Sequence, residues 1–108
     1  MSAASEQSLS VCQTGDVPVG TALRVELDDG RAIAVVHTQG QWFAIDDVCS
    51  HAEISLADGE IDGCTLECWL HGSRFDLRTG RPSGPPASIP VATYPIHVEG
   101  DTVFVTVA

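Results

Sequence analysis

The chain has 108 residues, 44% of them hydrophobic and 19% charged, which suits a single domain able to bury a core without disulfide or metal staples. It contains no lysine, five arginines and fifteen carboxylates, for a net charge of −10; such a surface repels nucleic acid and argues against DNA or RNA as a partner. No apolar run approaches the roughly eighteen residues of a membrane span, and Met1 to Ser10 lacks the basic and apolar regions of a secretory signal, so a soluble, cytoplasmic protein is expected.

In chain order, alternation of apolar and polar residues predicts a first strand over Ser8 to Gln13. Ala22 to Leu27 and Arg31 to His37 flank Asp28-Asp29-Gly30, a hairpin signal. Gln41 to Asp46 follows after Thr38-Gln39-Gly40. A turn or short helix is expected around Ile54 to Ala57, and short strands over Thr65 to Glu67 and Phe75 to Leu77. Pro82-Ser83-Gly84-Pro85-Pro86 is a stiff segment with few backbone donors. Thr93 to Glu99 and Thr102 to Val107 flank Gly100-Asp101 as a closing hairpin. Val, Ile, Thr and aromatic residues dominate these runs, and no long helical period occurs. The class is all-β, a sandwich or small barrel. The stretch from Asp47 to Pro86 departs from the pattern and reads as a site-bearing insertion on that scaffold.

The chemistry concentrates in two half-sites. Cys49-Ser50-His51 and Cys68-Trp69-Leu70-His71 are separated by sixteen residues. Each offers a thiolate and an imidazole. In the first, an extended backbone would point Cys49 and His51 to the same side. In the second, the i, i+3 spacing suits a tight turn, and Gly72 permits a close backbone approach. Zinc is a rival for this donor set, although a C-x-H half-site is unusual for structural zinc. A nucleophilic cysteine paired with histidine is a further alternative that would leave two of the four residues without a role. Cys12 and Cys64 are left over, as buried thiols or, if the fold brings them together, as a bridge.

Other residues carry lesser expectations. His37 and His97 read as structural or solvated, and Trp42 and Phe43 as sheet residues. Trp69 would shield the site or present an aromatic surface to a partner. Seven carboxylates lie between Asp46 and Glu67 with no Arg or Lys among them: a solvated surface, or a docking face for a basic partner. Arg74, Arg78 and Arg81 would balance carboxylates or touch a partner's acidic rim.

The half-sites resemble the motif of the Rieske family, C-x-H, a spacer of some fifteen to seventeen residues, then C-x-x-H. The similarity continues through Gly72-Ser73-Arg74-Phe75-Asp76, Thr79-Gly80 and Gly84-Pro85-Pro86, and covers about Val11 to Val107. It implies a single Rieske domain over 1–108: an antiparallel β-sandwich with a small inserted cluster-binding subdomain over about 47–86. It further implies one [2Fe-2S] cluster, with Cys49 and Cys68 on the inner iron and His51 and His71 on the outer one. Two ferric ions, two sulfides and two thiolates sum to zero, so one-electron reduction would take the cluster from neutral to −1. Ile54 and Leu70 stand where high-potential members have disulfide cysteines, and Phe75 where they have a tyrosine that donates to a cysteine sulfur. Ser73 matches a high-potential donor and pulls the other way. The balance implies a potential of roughly −150 to 0 mV.

By this resemblance the chain is a soluble electron carrier without catalytic residues of its own. It would pass electrons from a flavin-dependent reductase to a terminal Rieske non-haem iron oxygenase, and a monomer is expected. The alternatives are a small Rieske subunit of a larger redox enzyme, such as a nitrite reductase, and, more remotely, a zinc-binding interaction module.

Overall fold

The computed structural model describes residues 7–28, 30–48, 55–68, 74–83 and 89–107. Among them are ten strands: β1 (Gln7–Gln13), β2 (Thr21–Glu26), β3 (Ala32–Thr38), β4 (Gln41–Asp46), β5 (Ile61–Asp62), β6 (Thr65–Glu67), β7 (Arg74–Asp76), β8 (Thr93–Tyr94), β9 (Ile96–Glu99) and β10 (Thr102–Val107). Helix is confined to single 3₁₀ turns at Thr14–Asp16 and Leu56–Asp58. The strands form three antiparallel sheets, ordered β1-β10-β9, β2-β3-β4-β8 and β5-β6-β7.

The four-stranded sheet is the middle layer. Its strand β3 buries both faces, because Ile33, Ala34, Val35 and Val36 are all at 0% exposure. Ile33 and Val35 pack with Val103, Val105 and Val107 of β10, together with Val17 and Ala44. Ala34 and Val36 face the other way and join Ile45, Leu56, Leu66, Cys68, Phe75, Leu77 and Val91. A continuous run of apolar, mostly β-branched residues is what a strand enclosed on both sides requires. The second of these cores fastens the small third sheet to the scaffold. The buried hydroxyl of Thr38 adds a polar tie, donating to the Gly63 carbonyl at 2.8 Å.

The hairpins fall where the turn residues predict them, with bounds shifted by a residue or so. One expected strand is really two. Thr93 to Glu99 breaks at Pro95: β8 pairs with β4, and β9 pairs with β10 of the other sheet. Pro95 has no N–H to give a ladder, yet its carbonyl accepts from Thr106 N–H at 2.9 Å, so it forms the corner where the chain changes sheets. The short strand β5 was not predicted. The helical turn lies at Leu56–Asp58, slightly later than the expected Ile54 to Ala57, of which Ile54 is outside the described residues. β7 begins a residue before the expected Phe75.

Candidate metal centre

The first half-site follows β4. Asp47 leaves the sheet with its N–H donating to Ala32 at 3.0 Å, while its carbonyl accepts from Leu56. Val48 then pairs with Ser55 in an antiparallel bridge, so the residues on either side of positions 49–54 are held together. The fully buried Asp47 carboxylate braces this closure. One oxygen accepts from Ala57 N–H at 2.9 Å and the other from Arg24 Nη1 at 3.2 Å.

The second half-site lies between β6 and β7 along the chain. Glu67 pairs with Arg74, closing positions 68–73. Each half-site thus falls in a stretch of six residues whose flanking residues are joined by β pairing. Arg74 reinforces the second base, reaching Asp62 at 2.8 Å and Glu67 at 3.3 Å. The hydrogen bond to Asp62, and the neighbouring carboxylates Glu67 and Glu60, push the Arg74 guanidinium pKa upward. Behind β6, Gly59 lies against the backbone of Glu67, and the N–H of Glu67 donates to Glu60 at 2.8 Å.

Cys68 is the predicted ligand that falls within the described residues. It is a free thiol at 0% exposure, in the second core beside Leu66 and Phe75. Its thiol has no hydrogen bond to any described residue. A buried sulfur with no hydrogen bond among the described residues, next to a β pairing that holds the chain on both sides of positions 68–73, fits an inner cluster ligand. Cys49, His51 and His71 lie outside the described residues, as do Ser73, Trp69 and Leu70. Before and after positions 84–88 the chain is tied to strands that flank the half-sites: Ser83 N–H donates to the Arg74 carbonyl at 2.8 Å, and Ala92 N–H donates to the Asp46 carboxylate at 3.2 Å. Positions 84–88 are likewise outside the described residues.

No group of three or more His, Cys, Asp or Glu side chains among the described residues could hold a metal. Among the described residues the leftover cysteines offer no competing centre. Cys12 and Cys64 are both free. Burial, with Asp16 nearby, pushes the Cys12 thiol pKa up. Cys64 sits between Arg78 Nη2 at 3.3 Å and Gln39 Oε1 at 3.6 Å. His37 and His97 are structural as expected. His37 stacks on Trp42 with centroids 4.0 Å apart and its Nδ1 lies 2.9 Å from Val17 O; His97 stacks on Phe104 and pairs with Glu99.

The acidic stretch is narrower than its sequence suggests. Asp47 is buried, Asp46 accepts from Tyr94 Oη at 2.5 Å, and Glu67 is engaged by Arg74. Asp58, Glu60 and Asp62 remain exposed. Sequence reasoning missed Asp47 as a brace, since its partner Arg24 is 23 residues away and nothing local distinguishes it from its acidic neighbours.

The model of the Rieske [2Fe-2S] domain family matches residues 7–95. The chain belongs to the Rieske [2Fe-2S] family. This Rieske protein is 45% identical over 100 residues to the ferredoxin component of the p-cumate 2,3-dioxygenase system of Pseudomonas putida, covering 92% of this chain and 85% of the relative. Its fold matches the Sphingomonas yanoikuyae B1 ferredoxin with a TM-score of 0.86 and 35% identity, covering 92% and 97% of the two chains. It also matches a chain in a complex of reduced oxygenase and oxidised ferredoxin in carbazole 1,9a-dioxygenase, with a TM-score of 0.85 and 34% identity over 91% of each chain. A nitrite reductase small subunit shares the fold at 18% identity. The chain is thus a Rieske ferredoxin, an electron carrier with one [2Fe-2S] cluster, and the oxygenase chemistry belongs to another protein.

Proposed function

We propose that this ferredoxin holds its cluster on Cys49 and Cys68 at the inner iron and His51 and His71 at the outer iron. In this reading it takes electrons singly from a flavin-dependent reductase and delivers them to a terminal Rieske non-haem iron oxygenase of a ring-hydroxylating system. It works as a monomer in the cytoplasm, and the cluster-binding subdomain spans about 47–86. The observation that carries the ligand assignment is the pair of pinned loops, 49–54 and 68–73, each containing one Cys and one His. The Cys68 thiol, buried and without a hydrogen bond among the described residues, would supply the sulfur donor that one iron needs. The partners follow from the relatives, which are named as parts of dioxygenase systems. Among the described residues no helix is long and apolar enough to cross a membrane.

When bound, the cluster supplies a one-electron couple between a neutral and a −1 state. The chain's own residues do the rest. Cys68 is shielded from water by Leu66, Phe75 and Leu77 in the same core, and the β pairings hold the loop bases in register.

Reconstitution tests this reading. Purified protein is expected to be red-brown, with iron and acid-labile sulfide in equal amounts and a Rieske EPR signal on reduction. Added to a flavin-dependent ferredoxin reductase and a Rieske oxygenase of the p-cumate type, it should restore NADH-driven substrate oxidation. His71→Ala should abolish both signal and electron transfer. A normal Rieske signal in that variant would refute the ligand set, and a native protein that the reductase cannot reduce would refute the pathway.

A further inference from the structure

We propose that Asp47 and Arg24 form a charged clasp that positions the first ligand loop and sets the cluster's potential by two opposed charges. The proposal rests on the assignment of Cys49 as a cluster ligand. Asp47 is at 0% exposure and every polar atom it has is used. Its N–H donates to Ala32 of β3, and its carbonyl accepts from Leu56. One carboxylate oxygen takes the Ala57 N–H, and the other takes Arg24 Nη1 of β2. A single residue thus joins two strands of the middle sheet to the 3₁₀ turn on the far side of the loop.

Burial makes that arrangement consequential. A carboxylate out of water is costly unless paired and hydrogen-bonded, so Asp47 enforces the loop closure that satisfies it. Arg24 is only half withdrawn from solvent and shares its other nitrogen with the exposed Glu26 at 2.9 Å. The negative member of the pair is therefore the buried one, and it lies two residues from Cys49. Reduction adds an electron nearby. A fixed negative charge opposes that step and a fixed positive charge favours it, and both act more strongly away from water. Asp47 and Arg24 are positioning residues with opposite electrostatic signs.

The test is the reduction potential of holoprotein variants, measured by equilibration with a reference redox dye at neutral pH. Asp47→Asn keeps the shape and most of the hydrogen bonding. It should favour reduction by about threefold or more in the exchange equilibrium, which is about 28 mV at 59 mV per decade. Arg24→Gln should shift it by a similar factor the other way. Arg24→Lys, which retains the charge, should stay within about 1.5-fold of the parent. A purely structural loosening would move Asn and Gln variants in the same direction. Shifts of the same sign, no shift, or an Arg24→Lys shift as large as that of Arg24→Gln would overturn the proposal. If Asp47→Asn fails to fold, the Gln and Lys variants at position 24 decide it alone. Cys49→Ser is the control and should lose iron and the EPR signal. Its retention of both would overturn the ligand assignment and this proposal together, whereas failed shifts with a cluster-free Cys49→Ser would overturn the proposal only.

Discussion

A Cβ placed on Gly59 would stand 1.7 Å from the carbonyl oxygen of Glu67. The backbone of the first half-site's supporting turn thus touches the residue just before Cys68, and only glycine permits the contact. Its φ of −85° is open to any residue, so the requirement is steric rather than conformational. Gly59→Ala should destabilise the protein by about 1–3 kcal/mol or more, since neither backbone can yield without disturbing β6. Thermal unfolding checks this, and iron content should fall with it because Cys68 is displaced.

Gly80 combines both constraints. Its φ is +78°, and an added Cβ would lie 2.0 Å from the Val91 carbonyl oxygen. Gly80→Ala should cost more than Gly59→Ala in denaturant midpoint. Gly15 has open space around its Cβ position, so Gly15→Ala should change stability by no more than about 0.5 kcal/mol. Equal effects at positions 15 and 80 would contradict the packing described.

Alkaline pH should weaken the fold through two groups. Burial, with Asp16 nearby, raises the Cys12 thiol above its ordinary 9.0. Burial, together with the hydrogen bond to Asp46, raises Tyr94 above its ordinary 10.0. Both are neutral acids whose folded pKa exceeds the unfolded one. Their stabilising contribution is complete below the unfolded value and is lost as pH rises through the folded value. Urea midpoints should therefore decline from about pH 9 upward. Cys12→Ser should remove the earlier part of that decline and Tyr94→Phe the later part. A flat profile to pH 11 in the parent would contradict both.

Phe75 is fully buried in the core that contains Cys68. It supplies no hydrogen-bond donor, so the reduced cluster lacks one means of stabilisation, and a potential of roughly −150 to 0 mV is expected. Phe75→Tyr should raise the potential in voltammetry. A parent value well above about +100 mV would sink the argument.

Among the described residues, Asp58, Glu60 and Asp62 are the exposed members of the acidic stretch. If they steer a basic partner, reduction by the reductase should slow as salt rises, because exposed charges are screened beyond about 8–10 Å at physiological ionic strength. Asp58→Asn with Glu60→Gln should flatten that dependence in stopped-flow traces.

The hairpins were legible because their turn chemistry is local: Gly30 and Gly100 take positive φ at the expected tips. The break at Pro95 was not, since continuing an alternating run and changing sheets leave the same pattern along the chain. Burial of Asp47 was hidden for a related reason, as it depends on Arg24 arriving from another strand. The half-sites are an expectation that rests on spacing alone, and of their four donors Cys68 is the one that falls within the described residues. β5 is too short to carry a period, and its existence depends on pairing with β6.

The chain leaves the middle sheet at Asp46 and returns to it at Ala92, and the two residues are hydrogen-bonded to each other at 2.9 Å. Everything between is a detour that starts and finishes at one doorway. The detour nevertheless carries Leu56, Leu66, Cys68, Phe75 and Leu77, which roof the second face of β3. Removing it would keep the hairpin between β4 and β8 but strip Ala34, Val36 and Ile45 bare. With Cys68 as the cluster ligand proposed above, loading the cluster would bear on the packing of the whole scaffold, because the same residue is part of that roof.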